Sequence, residues 1–187
     1  CVIRVCEGQS LDKEFELRKS VSIEEYLDMI TKKTAAMTEM SCKIGAQIAG
    51  GSNAEIKGLS NYGKYLGIAF QIQDDLLDIT GDENDFGKVI GGDLLEGKKT
   101  FVFLHALRLA KGKQKQELLG IIKNKGIKPY KIPHFRRIYE NLGVLDLSRA
   151  EVRNYLKKAI DSLHSITNPM GKEMLVVLAN SLLNRAK

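Results

Sequence analysis

Eight carboxylates lie between Asp74 and Glu96 (Asp74, Asp75, Asp78, Asp82, Glu83, Asp85, Asp93 and Glu96), with Lys88 the one lysine among them. Like charges at that density repel one another, so the segment calls for a positive partner. The polarity reverses at Lys98 and Lys99, just past Asp93 and Glu96. Side-chain oxygens of this kind suit a hard cation, and magnesium keeps several waters while it bridges a few carboxylates to substrate phosphates. Carboxylates beside lysines therefore point to a divalent cation that holds a polyanion such as diphosphate. The plainer alternative is a solvated helix end with surplus acid, but acids near a helix C-terminus oppose the macrodipole.

The element that must position these groups is a helix over Asn61–Ile79, where Leu66, Ala69, Phe70, Leu76 and Leu77 recur three or four residues apart. On it Gln71, Asp74 and Asp78 fall on one stripe. Asp75 lies about 100° further round and flanks that stripe. Gly50-Gly51 and Ser52-Asn53 form the break before this helix, and TGDENDFGKVIGG after Ile79 reads as a loop.

Elsewhere the chain is helical in pattern. Ile3, Cys6 and Leu11 predict a helix already under way at the start. Ser20 or Ser22 caps the next one, with Glu24 and Glu25 in its favourable first turn. Ile23, Tyr26, Leu27, Ile30, Met37, Met40, Ile44 and Ile48 then give a long apolar stripe. Within that stripe lies Lys32-Lys33-Thr34-Ala35. Threonine lowers helix propensity, and a bend there would turn backbone carbonyls toward a cation. Asp93 is predicted to open a helix running through Leu94, Phe101, Leu104, Leu107 and Leu109. A short helix over Gln114–Asn124, a connector from Pro129 to Pro133 and a helix over His134–Asn141 follow. Ser148, with Glu151 three residues on, is predicted to cap a helix to Ile166, and Pro169 suits a helix first turn.

Composition narrows the function classes. With 187 residues, 43% hydrophobic and 28% charged, the chain is that of an ordinary globular protein in one all-α domain over residues 1–187, without internal repeats. No apolar run reaches the roughly 18–20 residues that span a bilayer, and no basic-then-apolar leader opens the chain. The expectation is a cytoplasmic protein, or one whose targeting segment lies outside this sequence. The net charge of +6 is concentrated between Arg108 and Lys131, where seven lysines surround Glu117. That stretch lacks the aromatic interleaving of single-strand binders and reads as a solvated helix and connector. Cys1, Cys6 and Cys42 have no paired spacing and read as free thiols; His105, His134 and His164 read as surface or satisfied core histidines.

The wording around the acidic stripe is specific. FQIQDDLLD followed by GKVIGGDLLEGKKT resembles the second aspartate-rich motif of the trans-isoprenyl (polyprenyl) diphosphate synthases with its trailing glycine-lysine segment. The GQxxD spacing of Gln9 and Asp12 and the Lys33-Thr34 pair match in order. A terpene cyclase shares the metal-diphosphate chemistry but not this lysine-bearing tail. The closing LANSLLNRAK resembles the carboxyl end of bacterial and plastid members. The first aspartate-rich motif has no counterpart, so the resemblance is to the C-terminal half of the family pattern, and the chain is expected to begin inside a longer protein. On that expectation residues 1–187 alone bind diphosphate weakly and do not transfer prenyl groups.

The resemblance implies an orthogonal all-α helical bundle of the isoprenoid synthase type, usually homodimeric, which condenses isopentenyl diphosphate with an allylic diphosphate. It implies magnesium held by Asp74 as principal ligand, with Asp75, Asp78 and Asp93 as direct, water-mediated or supporting partners. Lys33, Lys88 and Lys98 would bind diphosphate, Gln9 and Asp12 would face the substrates, and Thr34 and Gln71 would face the developing carbocation. A non-catalytic subunit of a heteromeric synthase and a helical interaction domain are the alternatives. Retention of Asp74, Lys88 and Lys98 argues against the first, and a magnesium-dependent diphosphate titration separates the second from both synthase readings.

Overall fold

The structure is a computed structural model that describes residues 1–81 and 90–184, and every regular element among them is helical. In chain order these are α1 (Val2–Leu17), α2 (Ile23–Ile30), a π-helical turn (Thr31–Ala35), α3 (Ala36–Ile48) and α4 (Asn53–Thr80). There follow α5 (Gly92–Glu96), α6 (Phe101–Leu109), α7 (Gly112–Asn124), a 3-10 turn (Pro129–Lys131), α8 (Ile132–Asn141) and α9 (Val144–Asp161). A second 3-10 turn (Ser162–Ser165) and α10 (Pro169–Asn184) complete the described chain.

The chain folds into two compact units, each discontinuous in sequence: Cys1–Ser10 with Leu27–Gln71 and the residues from Glu151 on, and Leu11–Tyr26 with Ile72–Ala150. In the first unit Tyr62, Ala69, Val152 and Leu163 are fully buried. The Tyr62 hydroxyl donates to the carbonyl of Leu175 at 2.7 Å and ties α4 to α10. Burial raises that phenol's pKa to about 12, so it remains a donor. In the second unit Ile72, Leu76, Phe103, Leu118 and Val144 form the centre of the core.

Local chemistry explains where the elements start and stop. Ser22 caps α2 through a reciprocal pair: the Glu25 amide donates to Ser22 Oγ at 3.1 Å, and the Ser22 amide donates to Glu25 Oε2 at 2.8 Å. The same arrangement, Ser52 with Glu55, starts α4 at Asn53 rather than at Asn61. These bonds, with one from Thr167, hold the Glu55 carboxyl down at about 2.

Four further sequence expectations are corrected. The single helix from Asp93 to Leu109 is two, because Gly97 adopts φ 68 and ends α5 while Thr100 caps α6 by accepting from the Phe103 amide. The helix expected to begin at His134 starts at Ile132, with Pro133 in its first turn. The helix expected over Ser148–Ile166 runs from Val144 to Asp161, with a 3-10 turn after it. Ser148 is therefore no cap; it is wholly buried inside α9 and donates to the Val144 carbonyl at 2.8 Å.

The fourth correction concerns the apolar stripe after Ser22. Tyr26 and Ile30 are buried, but Met37, Ile44 and Ile48 are 54%, 43% and 82% exposed. The π-helical turn between them inserts a residue and rotates the face by about 100°. Ala35, Ala36 and Ala46 take the buried places instead. No helix among the described residues is long and apolar enough to cross a membrane.

Candidate active site

In the second unit the C-terminal turns of α4 carry three aspartates in three different environments. Asp74 is exposed, Asp75 is buried and Asp78 is half-buried. The Gly91 amide donates to the Asp78 carbonyl at 2.6 Å, and the Asp93 amide donates to Asp78 Oδ2 at 3.1 Å. Asp78 thus receives the first turn of α5 and brings the Asp93 carboxylate beside its own.

Lys98 faces the pair. After the turn at Gly97 its amide donates to the Asp93 carbonyl, and its ammonium lies 3.3 Å from Asp93 Oδ1 and 3.0 Å from Glu96 Oε2. Burial opposes its charge, but Glu96 and Asp93 outweigh that and hold the lysine firmly protonated. The narrow crevice here is lined by Asp75, Asp78, Asp93, Lys98, Thr100 and Tyr139.

Asp75 is differently engaged. Its Oδ2 accepts from the buried Tyr26 hydroxyl and, at 3.1 Å, from the Phe101 amide at the start of α6. The sequence reading had Tyr26 only as part of an apolar stripe and did not single out Tyr139. Both are buried phenols whose pKa is raised by burial first and by neighbouring aspartates second, Asp75 for Tyr26 and Asp93 for Tyr139. Asp12 also acts on the Tyr26 phenol through its charge. No local spacing signals these pairings; a tyrosine on an apolar face is the only trace they leave in sequence.

His105, expected to be a surface or satisfied core histidine, is buried, and among the described residues its Nε2 has no hydrogen-bond partner. Its Nδ1 lies 3.2 Å from the Arg108 guanidinium. Lys99, by contrast with Lys98, is buried and donates to the Phe15 carbonyl at 2.7 Å.

In the first unit Thr34 Oγ1 donates to Gln71 Oε1 at 2.8 Å, which joins two of the expected site residues. Both Thr34 and Lys33 lie in the π-helical turn, the stretch where threonine was expected to weaken the helix. Gln9 is exposed on α1. Lys88 lies outside the described residues.

Among the described residues no three Asp, Glu, His or Cys side chains form a group that would hold a metal ion unaided. The donor chemistry nonetheless fits a hydrated hard cation. Burial first, then the Asp93 charge, push the Asp78 carboxyl up to about 6, and burial raises Asp93 against the pull of Lys98. Asp74 adds to the negative field at Asp93. Paired carboxylates that oppose each other's ionisation are relieved by added positive charge.

A pH dependence follows. Because Asp78 has its pKa raised in the folded state, its contribution to stability is complete below the ordinary aspartate value and is lost as pH rises through about 6. His105 acts oppositely in the same window: burial and Arg108 depress it to about 4, so its contribution is lost as pH falls. The comparison of wild type with Asp78→Asn isolates the first effect. Asp78→Asn should raise the melting temperature at pH 7 and leave it almost unchanged at pH 4, as read by circular dichroism. An equal shift at both pH values would rule this out.

The polyprenyl synthetase family pattern matches residues 1–141. A short chain isoprenyl diphosphate synthase of Methanothermobacter thermautotrophicus is 37% identical over 183 residues, 98% of this chain and 56% of that protein. Among solved structures, the geranylgeranyl pyrophosphate synthetase of Pyrococcus horikoshii is 37% identical with a TM-score of 0.84, covering 96% of this chain and 54% of that one. A Caulobacter crescentus polyprenyl synthase complexed with calcium and isoprenyl diphosphate has a TM-score of 0.91 at 28% identity, covering 98% of this chain and 56% of that one. These are all-α isoprenyl synthases, and this chain belongs to the polyprenyl synthetase family. It spans about half the length of the curated relatives it matches.

Proposed function

We propose that the chain serves a trans-polyprenyl diphosphate synthase, which condenses isopentenyl diphosphate with an allylic diphosphate into a longer prenyl diphosphate. The observation that carries this is the Asp78–Asp93 pair with Lys98 beside it. An anionic carboxylate pair next to a lysine suits a cation-bound diphosphate. Family membership and the names of the relatives support the same reading.

In this reaction the allylic carbon–oxygen bond breaks, and negative charge develops on the departing diphosphate. Asp74, Asp78 and Asp93 would hold magnesium, which when bound neutralises that charge. Asp75 fixes the start of α6 and the Tyr26 side chain, and acts through position. Lys33, Lys88 and Lys98 bind the diphosphate by charge-assisted hydrogen bonds. Thr34 and Gln71 offer oxygen dipoles to the allylic cation, and Gln9 and Asp12 contribute to substrate binding. Donors already aimed at the developing charge stabilise it without reorganisation. We place the working enzyme as a homodimer.

The test is calorimetry of residues 1–187 with inorganic diphosphate. Binding should require magnesium and vanish with a chelator. Binding that is indifferent to magnesium, or no binding at any concentration tried, would overturn the proposal.

A further inference from the structure

The π-helical turn Thr31–Ala35 lies between two glycines of other helices, both in the first unit. Gly8 of α1 is buried against the turn's backbone; a Cβ there would lie 2.6 Å from Lys33 Cα and 2.8 Å from the Lys32 carbonyl carbon. Gly67 of α4 is buried on the far end of the turn; a Cβ there would lie 2.6 Å from Ala35 Cα and 2.9 Å from Ala35 Cβ. Real Cβ atoms essentially never come so close, so neither helix can carry a larger residue without moving the turn. One turn further along α4, Gln71 accepts the Thr34 hydroxyl at 2.8 Å. Three contacts therefore fix five residues.

A π-helical turn needs such support. It is a rare conformation that persists as a single-turn insertion inside α-helices, frequently at functional sites. An uninterrupted α-helix would place Lys33 three residues after Ile30 and seven after Tyr26, on the face those buried side chains share. The insertion releases Lys33 from that face and sends Ala35 and Ala36 inward.

We propose that Gly8 and Gly67 are positioning residues, which clamp the π-helical turn so that Lys33 is aimed at the diphosphate. This rests on the proposed function, in which Lys33 binds diphosphate. The glycines touch no substrate and act only through the turn.

The experiment is calorimetry of residues 1–187 with inorganic diphosphate in saturating magnesium, alongside thermal unfolding. Gly67→Ala, Gly8→Ala and Lys33→Ala should each weaken binding about tenfold. In the Lys33→Ala background neither should weaken it further, because the side chain they aim is gone. Gly45→Ala, at an exposed α3 position with nothing within 4 Å of a new Cβ, should bind as wild type. If the alanine variants fail to unfold cooperatively, Thr34→Val tests the clamp instead. It keeps the side-chain volume and removes the bond to Gln71, and the same non-additivity with Lys33→Ala is expected.

Undiminished binding in the folded glycine variants, or in Thr34→Val where it stands in for them, would overturn the clamp, as would losses that add to that of Lys33→Ala. If Asp74→Ala abolishes binding while Lys33→Ala leaves it intact, the clamp fails and the function stands. If neither matters, the function fails and the clamp with it.

Discussion

Asp74→Ala should lower magnesium-dependent diphosphate affinity by about a hundredfold while leaving the melting temperature unchanged, and Asp75→Ala should do the reverse. Asp74 is exposed, so its loss removes a ligand without opening the core. Asp75 is buried and accepts from both the Tyr26 hydroxyl and the Phe101 amide. Alanine leaves two buried donors unsatisfied, each costing about 1–3 kcal/mol. For a chain of this size the melting temperature should drop by about 4–24 °C. Asp75→Asn keeps an acceptor oxygen and should recover most of it. Calorimetry and circular dichroism on the three variants decide the matter. Equal binding losses for Asp74→Ala and Asp75→Ala, at equal stability, would show that the stripe of Gln71, Asp74 and Asp78 is not what meets the cation.

Adjacent lysines should separate in the same manner. Lys98 is part-exposed and lies against Asp93 and Glu96. Removing it deletes a charge-assisted contact worth about 1.5–3 kcal/mol, so Lys98→Ala should weaken diphosphate binding roughly tenfold to over a hundredfold. In a turnover assay the same loss would appear in kcat/KM. Lys99 is buried, and burial lowers its pKa; its ammonium donates to the Phe15 carbonyl, 84 residues away in sequence. Lys99→Ala should therefore cost about 1–3 kcal/mol of stability through an unpaired carbonyl and lost packing, with diphosphate affinity retained. A larger binding loss at Lys99 than at Lys98 would move the functional lysine by one position.

These pairs mark the boundary between what sequence and tertiary structure each decide. Spacing of three and four residues is a property of the helix itself. Gln71, Asp74 and Asp78 therefore share a stripe of α4 whatever packs around them, and Asp75 stands off it. The cap before α2 was legible as Ser20 or Ser22 for the same reason, and the reciprocal bonds with Glu25 select Ser22. So was the irregularity at Lys33-Thr34, where threonine interrupts good helix formers. The all-α class followed from periodicity summed over the chain, and the family from motif wording that local chemistry alone would not supply.

What partners a side chain finds beyond its own helix was not legible. Nothing near Asp75 in sequence says that Tyr26 lies against it, and nothing near Lys99 names Phe15 as its acceptor. Gly97 looked compatible with one helix from Asp93 to Leu109. The fold places Lys125 and Gly126 directly against that glycine, and its left-handed conformation ends the helix there. Met37, Ile44 and Ile48 keep perfect helical spacing yet face outward, because one inserted residue upstream rotated everything after it. Periodicity tells which residues share a face. Which face is buried, and which of two neighbouring charges reaches the crevice, depends on backbone brought close from distant parts of the chain.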